Sequence, residues 1–117
     1  MLDNNSPIDW RDILKITNNK PELAKEMVAM LGAELPDMKT SINSAYKNQH
    51  YAVLLEKIHK LHGSCCYCGV THLKNIAATL ESKLKQKEHQ GLDTLLAELN
   101  QEIDHILQYI NEQALTS

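Results

Sequence analysis

Apolar positions along the 117-residue chain recur at intervals of three and four residues, which is the period of an amphipathic helix. Leu54, Ile58, Leu61 and Cys65 form one such series, and Leu73, Ile76, Ala77, Leu80 and Leu84 form another. A third runs through Leu92, Leu95, Leu96, Leu99, Ile103, Ile106 and Ile110. These stripes predict helices from about Tyr51 to Cys66, from about His72 to Gln86 behind a Thr71 cap, and from about Leu92 to Glu112. Upstream, Pro21 suits the first turn of a longer helix whose stripe reads Leu23, Met27, Met30, Leu31, Leu35, Met38 and Ile42. Pro36 falls inside it and should kink or loosen that helix rather than end it, because the apolar period resumes beyond. A short helix over Asp9 to Ile16, with Ile13 and Ile16 on one side, precedes it.

Turn-forming residues fall at Asn18-Asn19-Lys20-Pro21, Lys47-Asn48-Gln49-His50, Gly69 and Gln90-Gly91. Four long helices with one apolar stripe each and short connections bury those stripes most simply as an up-down antiparallel bundle. The expected fold is therefore all-α, a four-helix bundle with a short extra helix at the amino end. Residues 1–117 read as a single domain, with 1–8 flexible and 113–117 frayed. One Trp, four Tyr and no Phe, set among many Leu, Ala, Lys, Glu and Gln, agree with helices rather than strands.

Composition removes several function classes. The formal net charge of −3 offers nothing to pull the chain towards nucleic acid or an anionic membrane. No apolar run reaches the length of a membrane span, and MLDNNSPIDW lacks the pattern of a signal peptide. The chain is expected in the cytoplasm, without direct membrane contact and monomeric as an isolated domain. Cys65, Cys66 and Cys68 lie too close together for ordinary disulfide geometry, so reduced thiols are expected.

The chemically informative stretch is Ile58-His59-Lys60-Leu61-His62-Gly63-Ser64. With Ile58 at the centre of the buried face, His59 stands a quarter-turn away at the edge of the stripe, at about 100° per residue. There an imidazole can be steadied by a neighbouring helix and still present a nitrogen to a partner. Gly63 lies one turn on, beside His59, at a cost of roughly 1 kcal/mol relative to Ala. It either lets a second protein approach or relieves packing against another helix. Glu81 follows core residue Leu80 as His59 follows core residue Ile58, so antiparallel neighbours would bring the two side chains together. A carboxylate there would fix the tautomer of His59.

His59-Lys60-Leu61-His62-Gly63-Ser64, followed by Gly69-Val70 and Leu73, resembles the signature of histidine-containing phosphotransfer (HPt) domains. In the longer phrase running through Cys65, Tyr67 and Val70, it is most similar to the HPt modules that end BarA/GacS-type hybrid sensor kinases. The resemblance implies that His59 accepts the phosphoryl group and that Glu81, twenty-two positions later, is the helix-four polar partner. It places His62 where the family usually has Lys, a departure that exchanges a permanent charge for a titrating one. Lys60 could share that basic role, and Lys85 could face the incoming group. The implied function is a phosphorelay intermediate in two-component signal transduction. It would carry a phosphoryl group from a receiver-domain aspartate of a hybrid sensor kinase to the receiver of a response regulator. The receiver would supply Mg²⁺, and the chain would hold no cofactor of its own. No nucleotide fingerprint is present, so no ATP-dependent kinase activity is expected. The resemblance also favours the C-terminal piece of an inner-membrane sensor kinase over an independent protein.

The competing expectation is a metal-binding or thiol redox-sensing helical module. His59, His62 and Cys66 lie along one side of a helix, with Cys65, Cys68 and His72 close by, and all are metal-ligand types. Against it, Cys65 belongs to the apolar stripe, where cysteine packs as a small hydrophobe. Which response regulator serves as partner, which signal is sensed, and what the three cysteines do are not legible in one sequence.

Overall fold

In the computed structural model, which describes residues 6–113, five helices follow one another: α1 (Trp10–Ile16), α2 (Pro21–Lys47), α3 (Tyr51–Cys65), α4 (Thr71–Lys85) and α5 (Leu92–Glu112). Among the described residues there is no strand. The four long helices pack in a ring, α2 against α3, α3 against α4, α4 against α5 and α5 back against α2, while α1 lies on α2. At about 1.5 Å per residue, the 27 residues of α2 account for the 40 Å long dimension of the molecule.

The three C-terminal stripes are the core as expected. Leu54, Ile58, Leu61, Leu73, Leu80, Leu92, Leu99 and Ile103 are all fully buried, each contributing roughly 1.5–3 kcal/mol. The first half of α2 departs from its predicted face. Ala24, Val28, Leu31 and Leu35 point inward, while Leu23 and Met30 are 41% and 64% exposed and Met27 is half-buried. The true series 24, 28, 31, 35, 42, 45 keeps the same period but is turned by about one residue, roughly 100°. Ile16 is likewise 43% exposed, so α1 buries only Ile13.

Local chemistry sets the ends. Asp9 caps α1 by accepting from the backbone N–H groups of Arg11 and Asp12. Thr71 is the first residue of α4 rather than its cap, and Val70 takes the cap position without a side-chain bond. The helix of α2 continues through Pro36 to Lys47. Between α2 and α5, Asn43 and Asn100 exchange two amide hydrogen bonds of 2.8 and 3.0 Å, and Lys39 meets Asp104 at 2.8 Å. This polar clasp fixes the register of those two helices.

The amino end is held across the top of the bundle. The Asp9 N–H donates to the Gly69 carbonyl at 2.7 Å, and Trp10 Nε1 donates to the Tyr109 hydroxyl at 2.8 Å. Pro7 and Ile8, read from sequence as part of a flexible lead-in, are buried, Ile8 being 2% exposed. The expectations of flexibility for residues 1–5 and of fraying for 114–117 fall outside the described residues.

Candidate functional site

Halfway along α3, the inward positions Ile58 and Leu61 anchor the helix in the core and so place His59 on its flank towards α4. On α4, buried Leu80 does the same for Glu81. The antiparallel packing of the two helices closes the gap. His59 Nδ1 lies 2.6 Å from Glu81 Oε2, with the imidazole 72% exposed and the carboxylate only 9% exposed. An exposed ring is thus held by a buried anchor.

Glu81 also gathers two further groups. His62 Nδ1 stands 3.1 Å from Oε1, and Lys85 Nζ lies 3.3 Å from Oε2, one turn further along α4. Burial works against a charge on Glu81, but donation from His59 and from Lys85 outweighs it and holds the carboxyl below its usual range. The group is therefore ionised at neutral pH and can only accept hydrogen bonds. Nδ1 of each imidazole is then the donor to Glu81, and Nε2 of His59 is the ring nitrogen directed away from the anchor.

The remaining predicted residues divide. Gly63 is exposed, and a Cβ built on it would meet nothing within 4 Å. Internal packing therefore does not require glycine at this position. Lys60 stands apart from the Glu81 cluster; it lines a shallow depression between α2 and α3 with Asp37, Met38, Ser41 and Lys57. Lys85, His62 and His59 converge on one carboxylate, whereas Lys60 lies on the other flank of α3.

The cysteines give the rival reading no support. Cys65 and Cys68 are buried, and burial pushes their thiols up to about 12 and about 11 respectively, with neighbouring thiols adding to the effect at Cys65 and Glu34 to that at Cys68. Such thiols stay protonated near neutrality and are poor nucleophiles and poor ligands. All three cysteines are free, and among the described residues no group of three or more His, Cys, Asp or Glu side chains is arranged to hold a metal ion.

A second buried carboxylate escaped the sequence reading. Glu102 on α5, 8% exposed, meets His72 Nδ1 at 3.2 Å and His105 Nδ1 at 3.6 Å. It ties the start of α4 to α5. The signal available in advance was weak: Glu102 directly precedes core residue Ile103, as an inward-leaning boundary residue would, but many solvated glutamates do the same. His89 stacks on Tyr51 with ring centroids 3.8 Å apart, a contact between the α4–α5 connection and the start of α3.

Comparison with known proteins agrees with this geometry. Residues 26–109 match the Hpt domain family. The signal transduction histidine-protein kinase BarA of Escherichia coli K12 is 33% identical over 103 residues, covering 87% of this chain and 11% of that protein. The sensor protein GacS of Pseudomonas syringae pv. syringae is 39% identical over 79 residues, covering 68% of this chain and 9% of that protein. The chain thus spans about a tenth of the length of these relatives. Among solved structures, the HPT domain of a sensor hybrid histidine kinase from Shewanella superposes with a TM-score of 0.83 at 33% identity, covering 91% of this chain and 92% of that one. An exposed imidazole anchored by a buried carboxylate on a four-helix bundle, and a family match over most of the chain, lead to one conclusion: this chain belongs to the Hpt domain family, a phosphorelay module and not a kinase in its own right.

Proposed function

We propose that His59 is the phosphoryl acceptor of this domain, that Glu81 orients it, and that the donor and final acceptor are receiver domains of a hybrid sensor kinase and of a response regulator. The observation that carries this reading is the 2.6 Å contact between His59 Nδ1 and Glu81 Oε2 on an otherwise exposed ring. The Nε2 lone pair attacks phosphorus of the receiver's aspartyl phosphate. A nitrogen–phosphorus bond forms as the acyl oxygen–phosphorus bond breaks, and the aspartate carboxylate leaves with the electron pair. The Nδ1 proton stays in place, so the phosphorylated ring is cationic and the Glu81 carboxylate lies against it. Transfer onward is the same step reversed on a second receiver. Such chemistry needs positioning and charge balance more than covalent machinery. The receiver brings Mg²⁺ to the shared site, and this chain supplies the nucleophile, its orientation and the Lys85 charge.

Two substitutions test the assigned roles against a purified, phosphorylated receiver. Glu81→Ala should slow single-turnover transfer by on the order of 10- to 100-fold, the scale seen when a carboxylate that orients a metal-binding imidazole is removed, with the label still on His59. An unchanged rate would leave Glu81 without an orienting role. Gly63→Ala should act in two directions. The open space around Gly63 lets the methyl in without a clash, so thermal stability should rise by about 0.5–1 kcal/mol. Transfer should nevertheless slow, because the methyl stands where the receiver must close on His59. A stabilised variant with full transfer would remove Gly63 from the docking surface.

A further inference from the structure

Glu102 takes no part in the transfer site, yet its surroundings repeat that site's construction. On α5 it stands beside core residue Ile103 and is 8% exposed; on α4, His72 stands beside core residue Leu73 and is 68% exposed. Packing of α4 against α5 brings His72 Nδ1 to 3.2 Å from Glu102 Oε1. Again an exposed imidazole donates through Nδ1 to a buried carboxylate of the neighbouring helix, with Nε2 directed away from the anchor. His105 approaches the same oxygen at 3.6 Å, too far for a hydrogen bond. Of the two rings, His72 is the one that is oriented.

We infer that His72 is a second phosphoryl-accepting imidazole, served by small phosphoryl donors of the phosphoramidate or acyl phosphate class and not by receiver domains. Nε2 of the neutral ring attacks phosphorus, and a nitrogen–phosphorus bond forms as the donor's bond to phosphorus breaks. The leaving group, ammonia or a carboxylate, departs with the electron pair. The Nδ1 proton stays in place, and the cationic ring lies against Glu102. Charge for the phosphoryl group comes from the helix itself. His72 is the second residue of α4, whose amino end has no side-chain cap, so its first N–H groups are uncommitted to side chains. Helical side chains lean towards the amino end, which sets the phosphoryl group at the positive end of the α4 dipole. At the first site Lys85 fills that role.

The two sites are separate in space. His72 precedes Glu81 by nine residues on α4, which puts them on opposite flanks of that helix and about 13 Å apart along it. A receiver seated on His59 leaves His72 uncovered. The surroundings also select the donor. One turn beyond His59 stands Gly63 in open space, whereas one turn beyond His72 the exposed neighbour is Asn75. A small donor needs no clearance there; a closing protein surface does. The inference holds whether or not His59 is the relay acceptor.

The test uses the full chain carrying His59→Gln, which silences the first site. It is incubated with phosphoramidate and followed by intact mass, ³¹P NMR and ¹⁵N correlations of the histidine rings, with circular dichroism checking that each variant is folded. Label is expected on Nε2 of His72, at a rate about tenfold or more above that of the exposed His50, the scale of an orienting carboxylate. Adding His72→Gln should abolish this label and adding His105→Gln should keep it. Adding Glu102→Gln should slow it by on the order of 10-fold. A phosphorylated receiver in place of phosphoramidate should leave His72 unlabelled. Labelling of His72 no faster than His50, or label unchanged after His72→Gln, would overturn the inference. Labelling of His72 by the receiver would overturn the donor class assigned to it. None of these outcomes bears on transfer to His59 in the unaltered chain, which is measured separately with the receiver.

Discussion

A His59→Gln chain is expected to take no acid-labile label from a phosphorylated receiver in the presence of Mg²⁺, under conditions where the unaltered chain is labelled to completion. Glutamine is close to histidine in size and can still donate to Glu81, but its amide nitrogen has no lone pair available for attack on phosphorus. The loss should therefore be in chemistry and not in folding. His59 is 72% exposed and its side-chain contact is with Glu81, which keeps His62 and Lys85 as partners after the change. No buried carboxylate is orphaned, and the variant should unfold within about 1 kcal/mol of the parent, as surface substitutions generally do. Thermal melts and labelling run on the same preparation separate the two effects. Full labelling of the variant would move the acceptor elsewhere, with His62 the next candidate.

Replacing the other signature glycine should do the reverse, damaging the fold and sparing the chemistry. Gly69 adopts φ +66°, a left-handed conformation, and a Cβ on it would stand 2.6 Å from the Asp9 carbonyl oxygen and 2.7 Å from Ile13 Cγ1. Left-handed backbone costs a residue with a Cβ roughly 1–2 kcal/mol, and neither a backbone oxygen nor a buried core side chain can swing aside. The Asp9 N–H to Gly69 carbonyl bond, 2.7 Å long, lies at the same spot. Gly69→Ala should therefore destabilise the chain by about 3 kcal/mol, among the larger effects of a single substitution. That corresponds to a fall in melting temperature on the order of 10 °C for a domain of this size. Amide exchange should accelerate first in α1, whose docking depends on that contact. The His59 site is carried by α3 and α4, so phosphoryl loading of the folded fraction should be unaffected. A variant as stable as the parent would mean that α1 is not held as described.

Much of this architecture could be read from residue spacing because the physical signal was local. The α3, α4 and α5 stripes are long, aliphatic apart from Cys65, and unbroken, and their burial follows. Where size and burial parted company, the reading slipped. In α2, Leu23 and Met30 look like core by hydrophobicity, but the face turned inward carries Ala24 and Val28. Thr71 looks like a cap by residue type, yet the preceding Val70 already takes that position. Both outcomes depend on what lies opposite in space.

The candidate site divides in the same way. Spacing alone put His59 and Glu81 each one residue after a core position, and two antiparallel helices with that register have little choice but to bring them together. That His62 shares the same carboxylate from its other oxygen, that Lys60 turns to the opposite flank of α3, and that Gly63 borders open space while Gly69 is wedged against Asp9 and Ile13 follow from how the helices pack. By itself the sequence determined periodicity, and with it which residues sit at the boundary between core and solvent. Only the tertiary structure decided which boundary residues face one another, because that depends on the rotation and offset of neighbouring helices, which no stretch of a single helix encodes.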